Sequence, residues 1–351
     1  MGQCELVEMF LGYNRYYMEE YQKVRNEVFS LEDKLGVITV VTSCIDGRVK
    51  MAKVFKTMVE FLHEMTSPGG IYSLGVRSVG DHIRHAVEYA EGRGLGTLLI
   101  GTAHESGRHR DHGCAAMNND IKKALAGVEI FHRQVKRAFP QVDCIRMCLD
   151  TDDDSVGVLD PSGNVAIRVQ GRSHVGQEDK DFLEPLQKIS TVDSSRTLDD
   201  GSIRALAYLL GNAVERQEEL FVWPKPERRL FHCERDICFG DGHKWYSPDN
   251  LTFHVGEWSL NPADDLLVGL NLVARNIIEG KINMDGGLFV ASKGYRKERY
   301  RHLAVIEALE YLRFGMDVMR KHKYSDILTR HFVPIAVVVD MNTMEASLVI
   351  T

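Results

Sequence analysis

Short apolar runs rich in β-branched residues alternate with helix-periodic stretches, and this alternation constrains the fold of the chain most. Residues 37–41 read VITVV, and such a run predicts a strand buried on both faces, as in a parallel sheet. Apolar runs at 97–102 and 144–149 predict further strands, and helical spacing predicts helices over 81–91 and 121–138. Strands that alternate with helices favour βαβ units, so we predict an α/β fold with a parallel sheet and flanking helices.

The segment after the first strand is expected to supply one more helix and one more strand. Apolar residues over 51–65 recur at helical spacing, and SPGG at 67–70 then breaks the chain. Residues 71–76, IYSLGV, read as the second strand in chain order.

The last third of the chain repeats the first part in outline. Residues 287–292, GLFVAS, resemble LIGTA-type sequence at 98–103, and 335–343 resemble 145–152. In the second pair, a strand ends on an Asp-x-Asp or Asp-x-Asn step and turns back. We therefore expect a degenerate second copy of the first domain, so that one chain forms a pseudo-dimer.

The length of 351 residues fits about two domains. The predicted organisation is an N-terminal helical segment over 1–35, a first domain over 36–170, a helical connector over 171–225 and the repeat over 226–351. The boundary before the repeat is placed at the WPKP stretch, where two prolines punctuate the chain.

Composition excludes several classes of protein. The net charge of −7 gives no basic footprint for nucleic acid, and no apolar run reaches the roughly 18 residues of a membrane span. The beginning of the chain lacks the sections of a signal peptide. The seven cysteines are odd in number and scattered, which indicates a reducing compartment, with some thiols in the core and some on metal.

Three potential metal ligands follow the predicted strands. Cys44 lies at the end of the first strand, His104 lies just past the strand at 97–102, and Cys114 follows ten residues later. Because ligands bind at the carboxyl ends of parallel strands, we expect these side chains to meet at one edge of the sheet. Two thiolates and one imidazole suit zinc, and three protein ligands leave the fourth position for water.

Asp46 and Arg48 share the short turn that follows Cys44. A carboxylate at this place can accept a hydrogen bond from water on the metal, and an arginine can hold the carboxylate with a forked pair of N–H donors. The expected roles are therefore that Cys44 binds, Asp46 orients and Arg48 fixes Asp46.

The motif at 44–48, CIDGR, resembles the Cys-x-Asp-x-Arg motif of β-class carbonic anhydrases. It is more similar to the carboxysome shell carbonic anhydrases, which share Cys-x-Asp-Gly-Arg, the Gly-Cys-Ala-Ala step at 113–116 and the Asp-Thr-Asp run at 150–152. The resemblance covers roughly 36–351 and implies a β-carbonic-anhydrase-like fold whose second half is a degenerate copy without metal ligands.

The resemblance also implies an activity. The chain would be a zinc lyase with one Zn²⁺, which reversibly hydrates carbon dioxide to bicarbonate and a proton through zinc-bound hydroxide. Arg77 and Gly80 would line the substrate pocket, and a homo-oligomer, dimeric or higher, is expected. The alternatives are a hydrolase of carbon disulfide on the same scaffold and a catalytically silent, zinc-stabilised scaffold protein.

The identity of the histidine ligand stays open at this point. In ordinary β-class enzymes it stands three residues before the second cysteine, where this chain has Asp111. In the shell family it stands further upstream, which indicates His104, although the interval to Cys114 is one residue shorter than expected. His109 and His112 therefore remain substitutes.

Three further predictions concern the cellular location of the protein, a cluster of His and Cys residues, and an acidic run. The shell enzymes carry a long region ahead of the catalytic domain, whereas about 35 residues precede it here, so we expect the cytoplasm rather than a carboxysome. His232, Cys233, Cys238 and His243 form a weaker candidate for a second metal. The acidic run at 150–154 is expected to be a solvated turn, with calcium as the alternative.

Overall fold

The computed structural model describes residues 3–189, 197–225, 232–242, 245, 251–256, 258–284 and 286–349. Its contacts divide the chain into two compact units. The first unit is Val24–Leu230, and the second combines Met1–Lys23 with Phe231–Thr351.

The first unit contains a mixed sheet. Its strands are β1 (Val37–Cys44), β2 (Leu62–Ser67), β3 (Gly96–Glu105), β4 (Asp143–Asp150), β5 (Val156–Leu159) and β6 (Val165–Val169). They lie in the order β2-β1-β3-β4-β5-β6, and the four strands β1 to β4 are parallel. The last two strands are antiparallel, because a tight turn joins β4 to β5 and only an antiparallel pair can follow so short a connection.

Helices cover this sheet and supply its core. They are α1 (Gln3–Leu35), which continues into the second unit, α2 (Met51–Val54), α3 (Arg77–Gly92), α4 (Ile121–Ala138), α5 (Asp179–Gln187) and α6 (Asp200–Val222). The side chain of Asp120 accepts hydrogen bonds from the first amides of α4 and so fixes where that helix begins. The apolar face of α6 joins β1 and β3 in the main core, with Val37, Leu98 and Leu206 fully buried.

The predicted helix over 51–65 and the predicted strand over 71–76 are wrong. The helix ends at Val54, and the strand of this region is β2, which precedes the turn at Pro68–Gly70. β2 is an edge strand with only half of its side chains buried, so its polar residues hide the strand pattern. Residues 71–76 lead into α3 as a loop that buries Tyr72.

The second unit repeats this topology. Its strands are β7 (Asp236–Gly240), β8 (Thr252–Gly256), β9 (Gly287–Tyr295), β10 (Phe332–Asp340) and β11 (Ala346–Leu348), and its own helices are α7 (Pro262–Ile278), α8 (Arg301–Arg320) and α9 (Ser325–His331). The order β8-β7-β9-β10-β11 matches β2-β1-β3-β4-β5, with the same parallel and antiparallel pairs.

The turns after β4 and β10 match in their hydrogen bonds. The amide of Asp154 donates to the carbonyl oxygen of Asp150 at 2.9 Å, and that of Met344 donates to Asp340 at 2.7 Å. Asp154 and Met344 both adopt a left-handed backbone, with φ of 59° and 65°. The two sheets therefore share local geometry as well as strand order.

The N-terminal part of α1 completes the core of the second unit. Leu6 and Phe10 are buried in one cluster with Val290 and Val337. The amide group of Asn14 donates to the carbonyl oxygens of Trp245 and Met344 at 3.0 and 2.8 Å and accepts from the amide of Ala346 at 2.9 Å. Residues from both ends of the sequence thus build one core.

Across the described residues, no helix is both long and apolar enough to pass through a membrane.

Candidate metal centre

Three side chains that could bind a metal ion meet at the carboxyl ends of β1 and β3. Cys44 is the last residue of β1, His104 is the next to last of β3, and Cys114 lies in the loop between β3 and α4. One donor atom from each lies within 4.8 Å of the others. The sulfur atoms of Cys44 and Cys114 are 3.8 Å apart, and neither cysteine is in a disulfide.

The chemistry of these side chains fits a metal ion. All three are buried, and among the described residues neither ring nitrogen of His104 has a hydrogen-bond partner. A buried imidazole without a partner is costly, and a metal ion bound to one nitrogen would satisfy it. The donor set of two sulfurs and one nitrogen could therefore hold a metal ion.

A hydrogen bond joins the two thiols. The hydrogen bond with Cys114, together with burial, raises the pKa of Cys44 well above its ordinary value, and the same hydrogen bond lowers the pKa of Cys114. Either sulfur can be the donor of this hydrogen bond. A metal ligand is the thiolate, so binding of a cation at this place would release protons from the pair.

The end of β1 is held by the segment after β2. The amide of Ile45 donates to the carbonyl oxygen of Ser67 at 3.0 Å, and the hydroxyl of Tyr72 donates to that of Ser43 at 2.9 Å. Gly70 has a φ of +66°, and a Cβ there would lie 3.3 Å from the carbonyl oxygen of Thr102 on β3. A glycine is favoured because the backbone is left-handed and the contact with β3 is tight.

Asp46 and Arg48 form a forked ion pair beside the three ligands. Nε of Arg48 donates to Oδ1 of Asp46 at 2.9 Å, and a terminal nitrogen donates to Oδ2 at 2.6 Å. Only 5% of Asp46 and 6% of Arg48 are exposed, and Nε2 of His104 lies 3.7 Å from Oδ2 of Asp46. The carboxylate therefore lies between the guanidinium and the imidazole, held in one orientation.

A compact turn returns Cys114 to the strands. The amides of Met117 and Asn119 donate to the carbonyl oxygen of Cys114 at 3.0 and 2.9 Å. Asn118 and Asn119 both adopt the left-handed backbone, with φ of 54° and 59°, which asparagine tolerates better than most residues. The side chain of Asn119 also donates to the carbonyl oxygen of Asp111 at 2.9 Å.

The other predicted site residues lie elsewhere. Among the described residues, the donor group with both cysteines contains His104 and neither His109 nor His112. The rings of His109 and His112 stack on each other, 5.5 Å apart, in the loop. Arg77 begins α3 with 95% of its side chain exposed, 3.5 Å from Asp81 on the same helix, and Gly80 lies in the same turn. The pocket role of Arg77 and Gly80 stays a prediction.

The acidic run after β4 is not the solvated turn that was predicted. Only 5% of Asp152 and 3% of Asp154 are exposed, and their carboxylates accept hydrogen bonds from protein donors. Asp152 contacts Ser106, a residue that sequence reasoning missed. The available signal was the Asp-x-Asp step, which recurs as Asp340-Met341-Asn342.

The carboxyl edge of the second sheet carries an ion pair. Nζ of Lys293 on β9 lies 3.1 Å from Oδ2 of Asp241, which directly follows β7, and the amide of Gly294 donates to the same carboxylate at 2.9 Å. In the weaker candidate cluster, Cys238 is buried in the core of β7 and His232 contacts Glu234 at 2.9 Å. His243 of that cluster is outside the described residues.

Comparison of the sequence with models of known protein families finds no match, and comparison with curated proteins finds none either.

Proposed function

We propose that this chain is a zinc-dependent carbonic anhydrase, a lyase that reversibly hydrates carbon dioxide to bicarbonate and a proton. The observation that carries the proposal is the meeting of Cys44, His104 and Cys114 beside the buried pair of Asp46 and Arg48. The motifs at 44–48, 113–116 and 150–152, which resemble those of the β-class and shell enzymes, support the proposal as well.

Zinc is the metal that this donor set favours. Thiolate and imidazole ligands suit Zn²⁺, and three protein ligands are typical of catalytic sites, which keep one position for water or substrate. When bound, zinc would act as a Lewis acid that lowers the pKa of water and so makes hydroxide available near neutral pH. We propose one Zn²⁺ per chain, held by the first unit.

Asp46 and Arg48 give the site its catalytic character. The carboxylate of Asp46 would accept a hydrogen bond from the attacking water and orient its lone pair towards carbon dioxide. Arg48 fixes that carboxylate through two N–H donors, at 2.9 and 2.6 Å. A purely structural zinc site does not need a buried ion pair, whose desolvation is costly, and this argues against a silent scaffold.

The second unit supports the proposal of an internal copy. Its strand order matches that of the first unit, and Asp241 follows β7 where Cys44 ends β1. The ion pair of Asp241 with Lys293 would then replace the metal in the second copy, which leaves one active site in the pseudo-dimeric chain. Homo-oligomeric assembly and a cytoplasmic location belong to the same proposal.

The test is stopped-flow measurement of carbon dioxide hydration, with zinc content determined on the same sample. We expect turnover with about one zinc per chain, as a site with three protein ligands implies. Cys44→Ala and Cys114→Ala should lose zinc, whereas Cys148→Ala, which removes a buried thiol outside the cluster, should keep it. Asp46→Asn should keep zinc and lose rate.

Each contrary result has a definite meaning. Full rate in Asp46→Asn would contradict the role of the carboxylate, and wild-type protein without zinc would contradict the metal site. Zinc without carbon dioxide turnover, but with hydrolysis of carbon disulfide, would establish the rival activity. Zinc without turnover of either substrate would indicate a scaffold.

A further inference from the structure

Asp152 holds the loop that connects two of the metal-binding side chains. Its carboxylate accepts hydrogen bonds from the hydroxyl of Ser106 at 3.0 and 2.9 Å and from the amide of Arg108 at 2.7 Å. The oxygen of Ser106 in turn accepts from the amide of His109 at 3.1 Å. Ser106 is 4% exposed and Asp152 5%, so the carboxylate fixes the start of the loop from within.

The turn that carries Asp152 is itself braced. Oδ1 of Asp150 accepts from the amide of Asp152 at 2.9 Å and from that of Gly107 at 3.2 Å. Two nitrogens of Arg216 on α6 donate to Asp154 at 3.0 and 2.9 Å, and Lys225 contacts the other oxygen of the same carboxylate. Asp152 is therefore presented by a turn that is fixed at both ends.

The turn after β10 in the second unit has the same backbone hydrogen bonds, but its side chain donates a hydrogen bond where that of Asp152 accepts. The amide of Asn342 donates to Oδ1 of Asp340 at 2.8 Å, as Asp152 does to Asp150. The side chain of Asn342, however, donates to the carbonyl oxygen of Arg296 at 2.7 Å, whereas that of Asp152 accepts. The acceptor carboxylate thus occurs in the turn whose neighbouring loop leads from His104 to Cys114.

We infer that Asp152 is a positioning residue of the metal centre. It fixes residues 106–109. Only the short segment between these residues and Cys114 must then become ordered to bring Cys114 to Cys44 and His104. A loop ordered in advance loses less conformational entropy when the metal binds, and the affinity rises accordingly. This inference rests on the proposed zinc site.

The test compares zinc affinity in Asp152→Asn, Ser106→Ala and Asn342→Ala with that of the full wild-type chain, by competition with a chromophoric chelator. Loss of a group that hydrogen-bonds a metal ligand directly typically weakens affinity roughly 10–100-fold. Asp152 acts through the loop instead, so we expect a rise of up to about tenfold in the Kd of Asp152→Asn, a smaller rise in Ser106→Ala, and faster zinc release in both. Asn342→Ala, the matched change in the second unit, should keep the wild-type Kd.

The outcomes separate this inference from the proposed function. Wild-type protein that binds no zinc overturns the site on which both depend. Wild-type affinity in Asp152→Asn overturns the positioning role alone, whatever happens to the melting temperature of the metal-free protein. Equal loss of affinity in Asn342→Ala would also overturn it, because the effect would then be one of general stability. Where Asp152→Asn does not fold, Ser106→Ala decides, since it removes a single hydroxyl.

Discussion

At the scale of single residues, Arg48 is the side chain whose positive charge balances the carboxylate of Asp46 in the candidate site. Its guanidinium supplies a donor to each oxygen of Asp46, and a terminal nitrogen also lies 3.5 Å from the carbonyl oxygen of Gly113. A buried ion pair contributes little net stability, but removal of one partner leaves the other charge buried and uncompensated. The unfolding free energies of single variants at Arg48 or Asp46 therefore test this ion pair.

We predict that Arg48→Gln lowers the free energy of unfolding by about 3–5 kcal/mol, measured by denaturant titration of metal-free protein. The double variant Asp46→Asn with Arg48→Gln should lose less than Arg48→Gln alone, because both charges of the pair are then removed together. Arg48→Lys keeps the charge and loses the fork, so it should fall between wild type and Arg48→Gln. A value for Arg48→Gln near that of wild type would refute this account of the pair.

At the scale of elements, the packing of α4 on β3 sets the position of His104. Gly101 lies three residues before His104, and a Cβ there would come within 2.3 Å of Val128 and 2.5 Å of His132. Such distances are too short for any side chain. The helix can pack closely only because β3 has a glycine at this point.

Gly101→Ala should therefore destabilise the protein by about 1–3 kcal/mol, since the added methyl overpacks a close contact. Thermal or chemical unfolding measures the change. Gly92→Ala, at the end of α3, is the matched control: a Cβ at this position would meet no neighbouring atom within 4 Å, so the variant should be neutral or slightly stabilising. Equal effects of the two variants would contradict the packing argument.

His132 on α4 makes the stability of the folded protein depend on pH. Burial and the nearby Arg146 lower the pKa of His132 to about 3, and among the described residues neither ring nitrogen has a hydrogen-bond partner. The folded state keeps the ring neutral, whereas the unfolded chain binds a proton below about pH 6.5. The contribution of His132 to stability is therefore complete above that pH and falls as the pH drops towards the folded pKa.

Between pH 6.5 and pH 5, this contribution should fall by about 1.6 kcal/mol, because the slope reaches its full value of about 1.4 kcal/mol per pH unit only when the unfolded histidine is almost fully protonated. His132→Phe removes the titrating group, so the difference in unfolding free energy between wild type and variant should change by that amount over the interval. Chemical denaturation at both pH values measures it. Parallel pH profiles for the two proteins would show that His132 does not titrate as described.

Elements with a clear apolar or periodic pattern could be predicted from the sequence, whereas the geometry of the loops could not. The VITVV run and the helix over 121–138 carry their own periodic patterns, so the α/β class and the parallel strands followed from them. β2 was missed because an edge strand is half exposed. The contact of Ser106 with Asp152 joins residues far apart in sequence, and no local pattern encodes such a contact.

At the scale of the whole molecule, the two sheets match in the order of five strands, but different side-chain groups meet at the carboxyl ends of those strands. The first sheet brings together two thiols and an imidazole, and the second brings together Asp241 and Lys293. Half-burial of Lys293 opposes its charge, but the carboxylate of Asp241 raises the pKa of the ammonium above its ordinary value. The Lys293 ammonium therefore keeps its charge at physiological pH, and the contact with Asp241 needs no metal.

Removal of zinc from the proposed site should consequently affect one unit only. Hydrogen exchange is expected to become faster over 106–120 after treatment with a chelator, while β9 and β10 keep their protection. Mass spectrometry of peptic fragments measures both regions in one sample. Faster exchange in β9 and β10 to the same extent would contradict this difference between the two edges.

The contribution of α1 to the second unit has a consequence for biosynthesis. Leu6, Phe10 and Asn14 are translated early, but their partners on β10 and around Ala346 are made more than 300 residues later. At roughly 5–20 residues per second, a ribosome needs about 15–70 s to cover that distance. The early segment must wait for this time with its apolar face uncovered, although the whole of Val24–Leu230 has already been translated. The unit that contains the beginning of the sequence is therefore the last to be completed.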